Sequence, residues 1–415
     1  MEQIKKLSYL STEKARKLET EEKDLWLWIK IAIDKRASGR GEEMFSAEPI
    51  LILVERKHIF RDSFEQFKTT EDLDLRRDMR IYFLDEVSQD AGGLIREWFS
   101  ILIEKLFDPE LHLFVKTNTK EMAYTIDENA KIYHTNHLEY YQFCGQVIAK
   151  ALYEKIAIKA YLSKLILKIL LGLEVNIEDL KYCDTELHNS IQYILNNNIE
   201  EEMGIGTFVS YKRDSEIGME KFIELKENGK NIEIDNNNKQ EFAELLLRKA
   251  FIAPIKDGVN SLIKGFSMLL PKELISVLDA DELELFICGE VVIDIKDWQE
   301  NTVYEKPYHK DHPVIKCFWE MVENMSTTDR EDFLQFCTGS RRVPAEGFKG
   351  LRVANNKISK FKIKERKLEN GNHKFIIAHT CSNTIEIPQY ERVEEIREYV
   401  YKILETPECF RFAME

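Results

Sequence analysis

In EYYQFCGQVIAKALYEKIAI, residues 139–158, the side chains Phe143, Cys144, Val147, Ile148, Ala151 and Leu152 recur at the spacing of one helix face. A stretch of that length and period folds as an amphipathic helix against a core. KQEFAELLLRKAFIAPIKDGVNSLIKGFSMLLP, 239–271, carries its apolar residues the same way, with Pro254 as the expected break and Pro271 as the stop, because proline removes a backbone donor and crowds the preceding turn. The Asn-rich ENGKNIEIDNNNKQ before it reads as a strand or loop. From about Val291 onward short helices mix with strands. FKIKERKLENGNHKFIIAHT, 361–380, alternates Phe361 and Ile363 with lysines, turns at Asn370-Gly371 and returns through Phe375 to Ala378, the pattern of a hairpin. In ERVEEIREYVYKILE, Val393, Ile396, Val400 and Ile403 share one face of a final helix expected to pack on that hairpin. The fold class read from these periods is α+β, a mostly helical large lobe followed by a small α+β lobe.

Two lobes also suit a chain of 415 residues, more than one hydrophobic core usually organises. A formal net charge of −15 argues against the phosphate-neutralising surface of a nucleic-acid binder and for basic protein partners. The seven cysteines, at 144, 183, 288, 317, 337, 381 and 409, include no CxxC pair, so reduced thiols in an intracellular compartment are expected. The N-terminal MEQIKKLSYLSTEKARKLETEEKD lacks the apolar core of a signal peptide. The most apolar stretch, YLSKLILKILLGLEV, is interrupted by Lys164 and Lys168 and falls short of the roughly 18 unbroken residues a membrane span needs. A cytoplasmic or nuclear protein with no membrane span is the expectation. Residues 1–45, with DLWLWIKIAIDKR, form an N-terminal helical extension in this reading.

Cys381 stands in IIAHTCSNTIEIPQY at the end of a strand-like run, among Thr380, Ser382 and Asn383. Most isolated cysteines are small buried hydrophobes, but these polar neighbours are unusual company in a core. A thiolate needs donors or a positive group beside it, and His379, Thr380 and Asn383 are within local reach. His379, two positions back, shares a strand face with Cys381 if the strand continues. On chemistry alone the site fits a protease, a thiol transferase or a structural thiol.

HTCSNTIEIPQY, preceded by LQFCTGSRRVPAEGFKGL at 334–351, resembles the catalytic lobe of HECT-type ubiquitin ligases. Further matching motifs follow the same order along the chain: RKHIFRDSFEQF, DAGGLIREWF, HLEYYQFCGQVIAKALYE, IKGFSMLLP, ELELFICG and DWQENTVY. The resemblance runs from about residue 46 to the C terminus. It implies a bilobal fold: a large lobe over 46–289 that docks a ubiquitin-conjugating enzyme through a subdomain at about 180–245, and a small lobe over 290–415. Cys381 matches the cysteine that accepts ubiquitin as a thioester and passes it to a substrate lysine, often toward proteasomal degradation. The partners implied are ubiquitin, a conjugating enzyme and protein substrates. No metal or cofactor is required.

The resemblance also implies roles for other residues. His379 and Thr380 position the thioester, Asn383 and Pro388 fit the motif, and Glu386 orients or deprotonates the incoming lysine. Phe412 matches a C-terminal aromatic used during lysine transfer. Ser382 departs from the pattern, since many members carry Phe after the cysteine. The strand KFIIAHT offers an edge along which the ubiquitin tail can pair. Ile191, Leu195, Met203, Ile205, Phe208, Val259 and Leu262 are the expected conjugating-enzyme groove, although by spacing alone they read as core. CGEVVIDI matches the interlobe hinge, with Gly289, Glu290 and Val291 at its centre. Replacing Gly289 by proline is expected to slow transfer more than it harms folding. Gly92-Gly93 lacks a phosphate-loop pattern and reads as a tight turn opening a helix, with Arg96, Glu97 and Trp98 structural.

Two other functions compete with ligase activity. A cysteine hydrolase would need a distant histidine and an oxyanion donor near the nucleophile, and no such signature is present. A pseudo-ligase that binds without transferring ubiquitin has only Ser382 in its favour.

Overall fold

The computed structural model describes residues 49–69, 75–84, 93–119, 123–199, 206–213, 220–290, 292–353, 357–368 and 374–405. The expected N-terminal extension, the Asn370-Gly371 turn, Gly92, Met203, Ile205, Val291 and Phe412 lie outside those residues.

The described chain opens with β1 (Ile50–Val54), α1 (Ile59–Thr69), β2 (Met79–Phe83) and α2 (Gly93–Leu106). After β3 (Phe114–Lys116) and β4 (Tyr124–Ile126) come α3 (His137–Tyr153), α4 (Lys164–Leu171) and α5 (Thr185–Asn196). The hairpin β5 (Val209–Arg213) and β6 (Glu220–Glu224) leads to α6 (Lys239–Leu246), α7 (Lys256–Ser267) and α8 (Ala280–Cys288). The remainder comprises α9 (Ile295–Glu300), β7 (Thr302–Tyr304), α10 (Pro313–Glu323), α11 (Thr327–Thr338), β8 (Arg352–Val353), β9 (Lys357–Ile358), β10 (Phe361–Glu365), β11 (Ile377–His379), β12 (Thr384–Ile387) and α12 (Val393–Leu404). The architecture is α+β, and no described helix is long and apolar enough to cross a membrane.

Two compact units divide the chain. One holds Phe107–Gln146 and Tyr161–Leu283. Inside it, Leu180, Ile191, Phe208, Leu225, Phe242 and Leu246 belong to a separate small core beneath α5, the β5–β6 hairpin and α6. The helical run expected to break at Pro254 does change its hydrogen bonding there: residues 247–252 form a π turn and Ala253–Ile255 a 3-10 turn before α7 begins. Proline fits the short turn because it has no backbone N–H to place.

The other unit holds residues 49–106, Val147–Ala160 and 284–405. Strands β1 and β2 pair in parallel, and α1 meets α2 through Trp98, whose Nε1 donates to Ser63 Oγ at 2.9 Å. Its C-terminal part is built around the fully buried Trp298, stacked on Phe348 at 4.8 Å and edged by Phe361 and Trp319. A four-stranded sheet in the order β11-β12-β10-β7 packs into the same core.

That order corrects the expected hairpin. Strand β10 pairs in parallel with β12 and with β7, and β11 pairs antiparallel with β12, so β10 and β11 never meet. Alternation of apolar and polar residues tells a strand's faces and leaves its neighbours open. The last helix forms as its spacing predicts, with Ile396, Val400 and Ile403 buried. It packs against α10 and α11, and its Tyr401 hydroxyl donates to Asp329 of α11 at 3.1 Å.

Candidate active site

The tight hairpin of the sheet is therefore the one between β11 and β12, and Cys381 sits in its connection. Thr380–Ser382 form a single 3-10 turn, and Asn383 closes it at φ 50°. That left-handed conformation strains most side chains, and asparagine is among the few that tolerate it. Asn383 is fully buried, at 0% exposure, and its Nδ2 donates to Ser359 O at 2.9 Å and Arg352 O at 3.1 Å. Its own carbonyl accepts from Lys362 N at 2.9 Å, which seats the turn on β10. The Ser382 hydroxyl is spent inside the turn, on His379 O at 3.3 Å and Thr384 Oγ1 at 2.9 Å. The turn is thus hydrogen-bonded to its surroundings through Ser382 and Asn383, C-terminal to the cysteine.

The strand-face relationship between His379 and Cys381 does not hold, because β11 ends at His379 and alternation stops there. The His379 imidazole instead meets Glu386 across the hairpin, Nε2 to Oε1 at 2.8 Å. An ionised carboxylate only accepts, so Nε2 carries the hydrogen. Lys364 of β10 reaches the same oxygen at 2.9 Å. Burial pushes the Glu386 carboxyl up, but the hydrogen bonds and charges of Lys364 and His379 outweigh it, and the net shift is downward. Glu386 is a persistent anion and a poor base.

Arg96 of α2 reaches the same place. Its Nη1 donates to Thr338 O at 2.8 Å, and Nη2 donates to Arg352 O, the carbonyl that Asn383 also uses. Burial lowers its pKa to about 10, with Cys381 acting in the opposite direction. The guanidinium is therefore a cation at neutral pH. Arg96 reads as a structural residue in the sequence, and its partners are backbone carbonyls that no motif marks.

The other described thiols are poor nucleophiles. Burial raises Cys144, Cys288 and Cys337, and Cys183 is pushed to about 12 by burial and then by Asp179 and Asp184. Burial, with Glu320 and Glu394, raises Cys317. Cys381 is partly exposed and lies on the sheet's edge hairpin, where β11 has β12 as its one strand partner among the described residues.

The HECT-domain (ubiquitin-transferase) family model matches residues 100–413. The chain belongs to that family. It is 34% identical over 361 residues to the E3 ubiquitin-protein ligase TOM1-like of Neurospora crassa, covering 86% of this chain and 9% of that protein. To the E3 ubiquitin-protein ligase HUWE1 of Mus musculus it is 32% identical over 371 residues, 89% of this chain and 8% of that protein. It is also 32% identical over 363 residues to the E3 ubiquitin-protein ligase Nedd-4 of Drosophila melanogaster, 86% of this chain and 35% of that protein. The chain thus spans less than half the length of each of these relatives.

In this HECT chain the motif CGEVVIDI, expected to form a hinge, begins where α8 ends. Gly289 has φ +69°, and a Cβ there would lie 2.2 Å from Val343 O and 2.9 Å from the Ala157 Cβ. Glycine is required both for the backbone angle and for the close approach. Gly289 N donates to Leu285 O at 2.8 Å, and Glu290 N to Val343 O at 3.0 Å. The expectation that proline at 289 slows transfer more than it harms folding meets a folding cost here, because proline can neither adopt that φ nor make that hydrogen bond.

Of the residues expected in the HECT conjugating-enzyme groove, Ile191, Phe208, Val259 and Leu262 are buried, and Leu195 packs on the small core from its edge. Leu262 is held by backbone contact: a Cβ on Gly145 of α3 would fall 2.0 Å from Leu262 O. These side chains support a surface from beneath. What the β5–β6 hairpin does present is Tyr211, 70% exposed, and its cross-strand partner Phe222, 59% exposed. Tyr193 of α5 is exposed as well. Aromatic residues at facing positions of a two-stranded ribbon were the available signal in the sequence.

Proposed function

We propose that this chain is the transferring module of a HECT-type ubiquitin ligase and that Cys381 is its acceptor. The observation that carries this reading is the position of Cys381 on a hydrogen-bonded, partly exposed edge turn, in a chain of the ubiquitin-transferase family. The Cys381 thiolate attacks the glycyl thioester carbonyl of a ubiquitin-loaded conjugating enzyme. A new S–C bond forms, and the conjugating enzyme's sulfur leaves as a thiolate that takes up a proton. A substrate lysine that has given its ammonium proton to solvent attacks the Cys381 thioester carbonyl. The isopeptide C–N bond forms as the C–S bond breaks, and Cys381 leaves as a thiolate while the nitrogen gives up its extra proton to that thiolate or to solvent.

The remaining residues serve these steps. The ubiquitin tail pairs along β11, whose outer edge has no strand partner among the described residues. Glu386, held anionic by Lys364 and His379, attracts and orients the incoming lysine ammonium rather than deprotonating it. Thr380 and Asn383 hold the turn, and Phe412 contributes to lysine transfer. The small core around α5 and the β5–β6 hairpin forms the conjugating-enzyme subdomain, with Tyr211 and Phe222 as its docking face. A hinge at 289–291, between a large lobe over 46–289 and a small lobe over 290–415, lets the cysteine meet the conjugating enzyme and then the substrate, and the bonds of Arg96 to Thr338 O and Arg352 O belong to one of its positions. Ubiquitin, a conjugating enzyme and lysine-bearing proteins are the partners, in a reducing compartment such as the cytoplasm.

The test mixes the protein with ubiquitin, ATP, an activating enzyme and a panel of conjugating enzymes, followed by a non-reducing gel. The expected adduct is removed by thiols, absent in Cys381→Ala and thiol-resistant in Cys381→Ser. A folded protein that forms no adduct with any conjugating enzyme would overturn the reading, and release of free ubiquitin from a stable conjugate would replace it with hydrolysis.

A further inference from the structure

We infer that Arg96 is a positioning residue for ubiquitin transfer, tying the Cys381 turn to α2 through the backbone carbonyls of Thr338 and Arg352. The inference rests on the reading of Cys381 as acceptor.

Helix α2 is a firm anchor. On the residues after Arg96, Glu97 accepts from Arg56 at 2.6 Å, and Trp98 is buried with its indole bonded to Ser63. The two carbonyls that Arg96 binds belong to different elements, one at the end of α11 and one in β8. Each leads directly to the cysteine turn. Thr338 precedes Gly339, which ends α11 at φ +78°, and a Cβ there would lie in ordinary contact with Arg96 at 3.6 Å and with Thr380 at 3.8 Å. Arg352 O also receives Asn383 Nδ2, the residue that closes the turn. Asn383 thus shares an acceptor with the Arg96 guanidinium, and Thr380 lies across Gly339 from the Arg96 side chain.

A planar guanidinium has donors in a fixed fork and can serve two carbonyls at once, whereas an ammonium is a point donor on a flexible stem. Arg96 therefore fixes the turn through its fork, which a lysine ammonium at the same position does not reproduce. Among the described residues its guanidinium donates to backbone carbonyls and to neither His379 nor Glu386, and it lies on a different compact unit from Tyr211 and Phe222.

The full chain and its variants Arg96→Met and Arg96→Lys test this. Single-turnover formation of the Cys381 adduct is followed against the concentration of ubiquitin-loaded conjugating enzyme. In parallel, folding is read by thermal melts. Arg96→Met is expected to lower the maximal rate about tenfold with the half-saturating concentration unchanged. Arg96→Lys, which keeps the charge and loses the fork, is expected to leave the maximal rate below wild type. Wild-type maximal rates in both variants would overturn the inference, as would a loss that follows only the fraction unfolded in Arg96→Lys. A wild-type protein that forms no Cys381 adduct would instead sink the acceptor reading and this inference with it. Those failures are distinguishable, because only the last is visible without any variant.

Discussion

One backbone oxygen, that of Arg352, accepts from both Arg96 Nη2 and Asn383 Nδ2. A carbonyl has two lone pairs, so the sharing leaves neither donor short. It also joins a helix near the start of the described chain to the turn that carries Cys381. The stability and reactivity of this corner should respond to substitution at either donor.

Asn383→Ala removes two buried hydrogen bonds and leaves an alanine in the left-handed region. The expected loss is about 2–4 kcal/mol, read from urea denaturation. Asn383→Gly relieves the backbone strain alone and should recover about 1 kcal/mol of it. A loss below about 1 kcal/mol for the alanine variant would mean that Ser359 O and Arg352 O find other donors.

Glu386 has a folded-state pKa below its ordinary 4.5. Its ionised form is therefore the one the fold favours, so its contribution is present above the ordinary glutamate range and is lost as pH falls through the lowered folded value. Wild type should exceed Glu386→Gln in urea midpoint at neutral pH, by a small margin because the pair is partly exposed. The two midpoints should converge in acid. A difference that grows on acidification would contradict the assignment. Transfer to free lysine should also slow in Glu386→Gln, with formation of the Cys381 adduct spared.

Gly289→Ala places a Cβ against Val343 O and forces a positive φ on an L side chain. A destabilisation of about 1–3 kcal/mol is expected, measured by thermal or chemical melts. Gly289→Pro should be worse, since it also removes the N–H that caps α8 at Leu285 O. Wild-type stability in either variant would show that the bend at 289 is readily remade.

Tyr211→Ser and Phe222→Ser alter side chains that protrude from the β5–β6 hairpin. Stability should change by less than about 0.5 kcal/mol. The concentration of loaded conjugating enzyme giving half-maximal adduct should rise about tenfold for the pair. An unchanged value would remove this face from the docking surface.

The family and the surroundings of Cys381 are legible in the amino-acid sequence alone. Polar neighbours around Cys381 argue against a core thiol, and the motif order points to the family whose model matches the chain. The helices at 137–153 and 393–404 are legible from their period. Buried residues at the same period are less informative: Ile191, Phe208, Val259 and Leu262 fit core or groove by spacing, and they lie in the core.

What the sequence determined by itself was local: which segments are helical, which alternate as strands, and which cysteine stands among polar neighbours. Those properties are written in side chains at short spacing, where 3.6-residue and 2-residue periods are readable. Only the tertiary structure decided that β12 separates β10 from β11, that Gly289 faces Val343 O, and that Arg96 meets the Cys381 turn. Each of those is a choice of partner among backbone groups. Every residue carries the same carbonyl, so its identity as an acceptor has no signature in the sequence and is settled by which elements pack together.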